Sequence, residues 1–184
     1  MASAFGHALL GATLGKLLLP SRPNWPWWLL AAACAVLPDA DVIGFKFGVA
    51  YDSLWGHRGL SHSILVAALL AGGLVALSRL LQPQAAPPAA GRLGLLLFLA
   101  TVSHGVLDAL TTGGLGVAFF SPFEQQRYFF GFRPIQVSPI GIKRFAGAAA
   151  WRVLRSEAIW VGIPCLLLYV GQRILRPAAV NGAG

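Results

Sequence analysis

Five long apolar blocks, separated by short polar or proline-rich stretches, dominate the chain. They run over residues 5–19, 25–44, 62–81, 92–111 and 157–176. An α-helix crosses a hydrocarbon core of roughly 30 Å with about 20 apolar residues, so the last four blocks predict transmembrane helices. The first, FGHALLGATLGKLLL, is shorter and carries Lys16 near its end, which predicts a half-buried or tilted helix. It lacks both the basic leader and the small-residue cleavage site of a secretory signal and is expected to stay in the mature protein. The pattern predicts an all-α integral membrane protein, one multi-pass domain of four to five transmembrane helices.

Punctuation supports these divisions. Pro20, Pro23 and Pro26 break the chain after the first block, and Gln82 to Ala90 (QPQAAPPAA) forms a Pro-rich turn between the third and fourth. Residues 112–150 differ in kind. They mix aromatics (Phe119, Phe120, Phe123, Phe129) with prolines and with Arg127, Arg133, Lys143 and Arg144. That mixture suits the headgroup layer and predicts a structured interfacial loop, with a short strand pair or a re-entrant turn. Trp25, Trp27 and Trp28 are expected to form an aromatic belt on the opposite side.

Composition narrows the class. The 184 residues are 57% apolar and 11% charged, against roughly half and a quarter in soluble domains, so a soluble fold is excluded. The net charge is +8, yet the basic residues form no dense stripe, and no nucleic-acid partner is expected. They divide almost evenly between the two membrane sides, which leaves the orientation open. Cys34 and Cys165 read as small apolar core residues.

Acids are scarce: six carboxylates and four histidines in all. His7 opens the first block, Asp39 and Asp41 (LPDAD) end the second, His57 and His62 (HRGLSHS) lead into the third, and His104 and Asp108 (HGVLD) lie near the end of the fourth. If each block crosses once, all of these fall on one side of the membrane. Scattered solvating groups would divide between both. Imidazole and carboxylate are ligands for zinc, manganese or iron, and carboxylates near a membrane are costly unless neutralised. A shared divalent-metal site satisfies both requirements. His104 and Asp108, four apart, share a helix face. Asp39 and Asp41, two apart, could contact one metal or bridge two. A glycine-containing turn could bring His57, His62 and Arg58 to one point. Glu157, near Arg152 and Arg155, reads as part of a helix-start charge cluster.

The ordered series FGH, LPDAD, GHRGLSHS and SHGVLDALTTGG followed by FSPF resembles the YdjM-like family of inner-membrane metal-dependent hydrolases, over residues 4 to about 135. That family is in turn distantly similar to the zinc-dependent phospholipase C and P1 nuclease group. The resemblance implies His7, Asp39, Asp41, His57, His62, His104 and Asp108 as metal ligands, with zinc the expected ion and manganese the alternative. Relatives in the soluble group carry further His and Glu ligands that are missing here, so two ions are expected rather than three. The expected activity is hydrolysis of a lipid or lipid-linked phosphoester at the cell membrane. Asp39 or Asp41 would orient a metal-activated water, and Arg58 and Arg133 would hold phosphate oxygens. A metal transporter would instead place ligands at the bilayer midplane, and a recruitment protein would depend on the basic loop rather than on the histidines.

Overall fold

Helices follow the apolar blocks closely. In the computed structural model, which describes residues 1–20, 25–81, 88–141 and 145–175, α1 spans Ala4–Leu18, α2 Trp25–Val36, α3 Ile64–Leu81 and α4 Ala90–Ala109. The last apolar stretch is α5 (Gly147–Glu157), a π-helical turn (Ala158–Gly162) and α6 (Ile163–Leu175). Among the described residues, four helical stretches are long and apolar enough to cross a membrane: Trp25–Phe47, Ile64–Leu81, Ala90–Ala109 and Gly147–Leu175. At 1.5 Å per residue, α1 is only about 22 Å long, short of the hydrocarbon thickness. The final span begins at Gly147 rather than at residue 157, because the amphipathic turns before Glu157 also wind as helix. The interfacial loop is correspondingly shorter. Among the described residues it contains no strand, only the isolated bridges Thr111 to Ile135 and Val117 to Tyr128. Pro23, residues 82–87 of the Pro-rich turn, Lys143 and Arg144 lie outside the described residues.

The packing is that of a membrane protein, with apolar side chains outward and polar ones inward. Leu69, Leu77, Leu80, Leu167 and Ile174 are exposed, which costs nothing against lipid. A core of Ala31, Cys34, Ala35, Ala71, Leu93, Leu96, Leu97 and Ala100 joins α2, α3 and α4, and Cys165 is buried beside α1 as a free thiol. Helices α1 and α2 approach so closely that a Cβ on Gly11 would lie 2.7 Å from the Ala31 carbonyl, and one on Gly15 2.8 Å from the Trp28 Cα. Small residues four apart permit such contact between membrane helices. The expected belt is only partly realised: Trp25 is exposed, but Trp27 and Trp28 pack on the core. The Trp28 indole donates to the Leu19 carbonyl at 2.9 Å, and Lys16 sits 4.4 Å over its ring.

Candidate metal centre

Two local features aim the acidic motif inward. Pro38, which has no N–H to continue the α ladder, sits in the first turn of a 3₁₀ helix (Leu37–Phe47) that prolongs α2. In that tighter winding Asp39 and Asp41 diverge rather than converge. Asp39 faces α4, where its Oδ1 lies 3.3 Å from His104 Nε2. Asp41 faces the His57–His62 turn, where it accepts from His57 Nδ1 at 2.7 Å, from the Ser61 hydroxyl at 2.6 Å and from the Arg58 N–H at 3.2 Å.

That turn is wound tightly against itself. A Cβ on Gly56 would stand 2.2 Å from the Ala50 carbonyl, and Arg58 is held at φ 65, a left-handed conformation that costs an L-residue about 1–2 kcal/mol. Its guanidinium is fully buried. Nε lies 2.8 Å from Asp108 Oδ2, while the terminal nitrogens donate to the Gly113 carbonyl at 2.9 Å and Thr111 Oγ1 at 3.0 Å. Arg58 is therefore Asp108's counter-ion, committed inward on every nitrogen. It offers no surface to a phosphate in this conformation. Arg133 is exposed with its guanidinium 4.7 Å over the Phe129 ring, and among the described residues it makes no hydrogen bond or ion pair with the cluster.

One set of donors closes on a common point: Asp39, His62, His104 and Asp108, all buried, each offering an atom within 4.8 Å of the others. The imidazole protons define what that point can hold. His104 Nδ1 contacts the Ala35 carbonyl at 2.7 Å, an acceptor only, so Nδ1 carries the proton and Nε2 a lone pair. Ser61 donates to Asp41 and so accepts at 2.9 Å from His62 Nδ1, which turns His62 Nε2 inward too. The two Nε2 atoms face each other at 3.0 Å. Something positive must sit between them. In the metal-free protein this is a proton: burial opposes charge on His62, but its contacts with Asp39 and Asp41 outweigh burial and raise its pKa to about 8. The four imidazole-to-carboxylate separations, 3.3 to 3.9 Å, lie near the roughly 3.3 Å edge of a tetrahedron with 2.0–2.1 Å metal–nitrogen bonds. Both Asp39 oxygens are buried without a hydrogen-bond partner. The donor set thus fits a divalent ion.

The other expected ligands stand around this set. Asp41, His57 and His62 form a second cluster that shares His62. Its carboxylate accepts from the His57 ring and faces His62 Nδ1 at 3.2 Å, with Ser61 bonded between them, the arrangement that orients metal-binding imidazoles from behind. His7 stacks on His104 with ring centroids 3.8 Å apart and places Nε2 3.4 Å from Asp108 Oδ1. All of the expected ligands are therefore in one neighbourhood, but they do not form one equivalent shell.

Several contributors were not legible in the sequence. Ser61 fixes the His62 tautomer, and the Ala2 N–H donates to Asp108 Oδ1 at 2.7 Å. Arg127 binds the carbonyls of His57, Tyr51 and Ser53 at 2.8 to 3.2 Å and closes the turn. Glu157 is no surface charge cluster. It is 5% exposed, and its carboxylate accepts from the backbone and hydroxyl of Ser3.

Residues 1–180 match the model of the YdjM inner membrane protein family. The chain belongs to that family. Inner membrane protein YbcI of Escherichia coli (strain K12) is 36% identical over 159 residues, which cover 86% of this chain and 87% of that protein. No solved structure matches the chain. Membership agrees with the four candidate spans, and the protein is an inner membrane protein whose His and Asp side chains form a buried cluster able to hold a metal ion.

Proposed function

We propose that this YdjM-family protein is a membrane-embedded, metal-dependent hydrolase that binds one divalent ion through Asp39, His62, His104 and Asp108 and acts on a lipid or lipid-linked phosphoester. The carrying observation is the pair of inward Nε2 atoms 3.0 Å apart, each with its other nitrogen bonded to an acceptor. Two nitrogens and two carboxylates suit zinc, with manganese the alternative. When bound, such an ion supplies Lewis acidity and makes water a nucleophile near neutral pH. The chain's own residues prepare the site: Asp41 orients His62, the Ala35 carbonyl orients His104, and Arg58 holds Asp108 against Thr111. Arg133, free on the aromatic loop, is the cation suited to a headgroup phosphate.

Four protein donors also match a closed, structural metal site, which is the second reading. Metal analysis of detergent-purified protein, combined with turnover of a panel of lipid phosphoesters, separates the two. The hydrolase reading expects about one ion per chain, and loss of both metal and turnover in His104→Ala and Asp39→Ala. Full metal content without turnover favours the structural site. Undiminished metal in both variants overturns the assignment of these donors.

A further inference from the structure

Glu157 is a buried carboxylate inside a membrane-spanning helix, and the metal donors account for none of its contacts. Such a group is costly in hydrocarbon and ordinarily functional. It lies where α5 passes into the π-helical turn Ala158–Gly162, an irregularity common at functional positions. The opposing surface is shaped to receive it. A Cβ on Gly6 would meet the carboxyl carbon at 3.0 Å and its oxygens at 3.1 and 3.3 Å, so a larger residue there would press directly on the carboxylate.

The contacts made by Glu157 lead to Asp108. One oxygen takes the Ser3 N–H, and the other takes the Ser3 hydroxyl at 2.5 Å. That donation leaves Ser3 Oγ oriented to accept from the Gly6 N–H at 3.3 Å, as the N-cap of α1. Ser3 therefore fixes two things. It sets the first turn of α1, which carries His7, and it anchors the adjacent Ala2, whose N–H reaches Asp108 Oδ1 at 2.7 Å. His7 Nε2 lies 3.4 Å from the same oxygen. The two nearest groups facing Asp108 Oδ1 thus hang from one serine held by one glutamate, and the Met1 amine, 4.0 Å from the same oxygen, lies farther off.

We infer that Glu157 is a positioning residue for the metal centre, acting through Ser3 to set the Ala2 and His7 contacts that aim Asp108 at the ion. This rests on the metal reading above. It makes the last membrane span part of the site although it supplies no ligand, and it assigns Ser3 and Gly6 to the same device.

The test is Zn²⁺ affinity of the detergent-purified full chain, measured by competition with a chromophoric chelator, in Glu157→Ala, Ser3→Ala, the double variant and Glu157→Gln. Supporting groups behind metal ligands change affinity by about 10–100-fold. Glu157→Ala is expected to weaken binding about tenfold, Ser3→Ala by a similar factor, and the double variant no more than Glu157→Ala alone, because both cut one link. Glu157→Gln keeps an oxygen for the Ser3 N–H and is expected to recover to within about threefold of wild type. Glu157→Ala within twofold of wild type, losses that multiply in the double variant, or no recovery in Glu157→Gln would each overturn the inference. If Glu157→Ala does not accumulate as folded protein, Ser3→Ala decides alone: unchanged affinity refutes the link. Wild-type protein that takes up no Zn²⁺ fails the metal reading itself, whereas wild-type binding with unaltered variants fails only the role of Glu157.

Discussion

Removing Arg58 should make the protein's stability depend on metal. Its guanidinium is the nearest cation to Asp108 among the described residues, 2.8 Å from Oδ2 against 3.8 Å for His62 Nε2 and 4.0 Å for the Met1 amine, and both partners of the close pair are fully buried. Truncating one partner of such a pair costs about 3–5 kcal/mol, because the other charge is left unpaired in a poor solvent. For a chain of this size that is a fall in Tm of roughly 6–20 °C. The assay is thermal unfolding of Arg58→Ala in detergent, with chelator and with excess Zn²⁺. An ion at the four-donor site would place two positive charges against the same Asp108 Oδ2, so the loss seen in chelator should shrink markedly when Zn²⁺ is added. By linkage the variant should also gain more stability from Zn²⁺ than wild type does. Arg58→Gly provides an internal control. It removes the same charge but adopts the left-handed φ of 65 without penalty, and should recover about 1 kcal/mol relative to alanine. A loss below about 1 kcal/mol, well short of a broken buried pair, or an equal loss with and without Zn²⁺, would refute the reasoning.

Two further outcomes follow from the geometry. His62 has a pKa raised to about 8 in the metal-free protein, so its proton must leave when an ion takes Nε2. Zn²⁺ uptake at pH 7 should release about one proton per ion and at pH 9 almost none from this group, with affinity falling about tenfold per pH unit below 8; calorimetry in buffers of different ionisation heat reads this directly, and proton release that does not change with pH would contradict it. Gly11→Ala places a Cβ 2.7 Å from the Ala31 carbonyl and 2.8 Å from the Ala35 Cβ, backbone and a rigid methyl that cannot rotate away. It should destabilise the protein by about 1–3 kcal/mol and weaken Zn²⁺ binding by moving His7 on α1; an unchanged melting curve would show that the two helices can separate without cost.

Much of the architecture was legible because a bilayer imposes a length and an apolarity that residue order alone reveals. Predicted blocks and observed helices agree within about two residues at most ends. Two ends are exceptions: α2 stops at Val36 and continues as the 3₁₀ helix to Phe47, and the last span starts early, since the turns from Gly147 to Glu157 carry Arg152 and Arg155 on one face and do not read as apolar. Although α1 is too short to count as a full crossing, the gathering of His7, Asp39, Asp41, His57, His62, His104 and Asp108 was anticipated by their scarcity and by their clustering in four motifs near block ends. Their division of labour was not. Asp39 and Asp41 are chemically identical and two residues apart, yet one is among the converging donors and the other orients rings from behind, because a 3₁₀ helix points them to opposite neighbours. Arg58 read as an anion clamp, since nothing in HRG discloses a left-handed backbone that turns the side chain inward. Glu157 read as surface charge because its partner, Ser3, is 154 positions away.

Sequence alone determined the class of protein and which few acids and imidazoles are available to a site, because both depend on composition and on spacing along helices of known rise. Only the tertiary structure decided which four donor atoms converge, which protons they carry and which buried charges hold them in place. Those properties depend on the directions of individual lone pairs and on contacts between distant segments, and neither is encoded in local order.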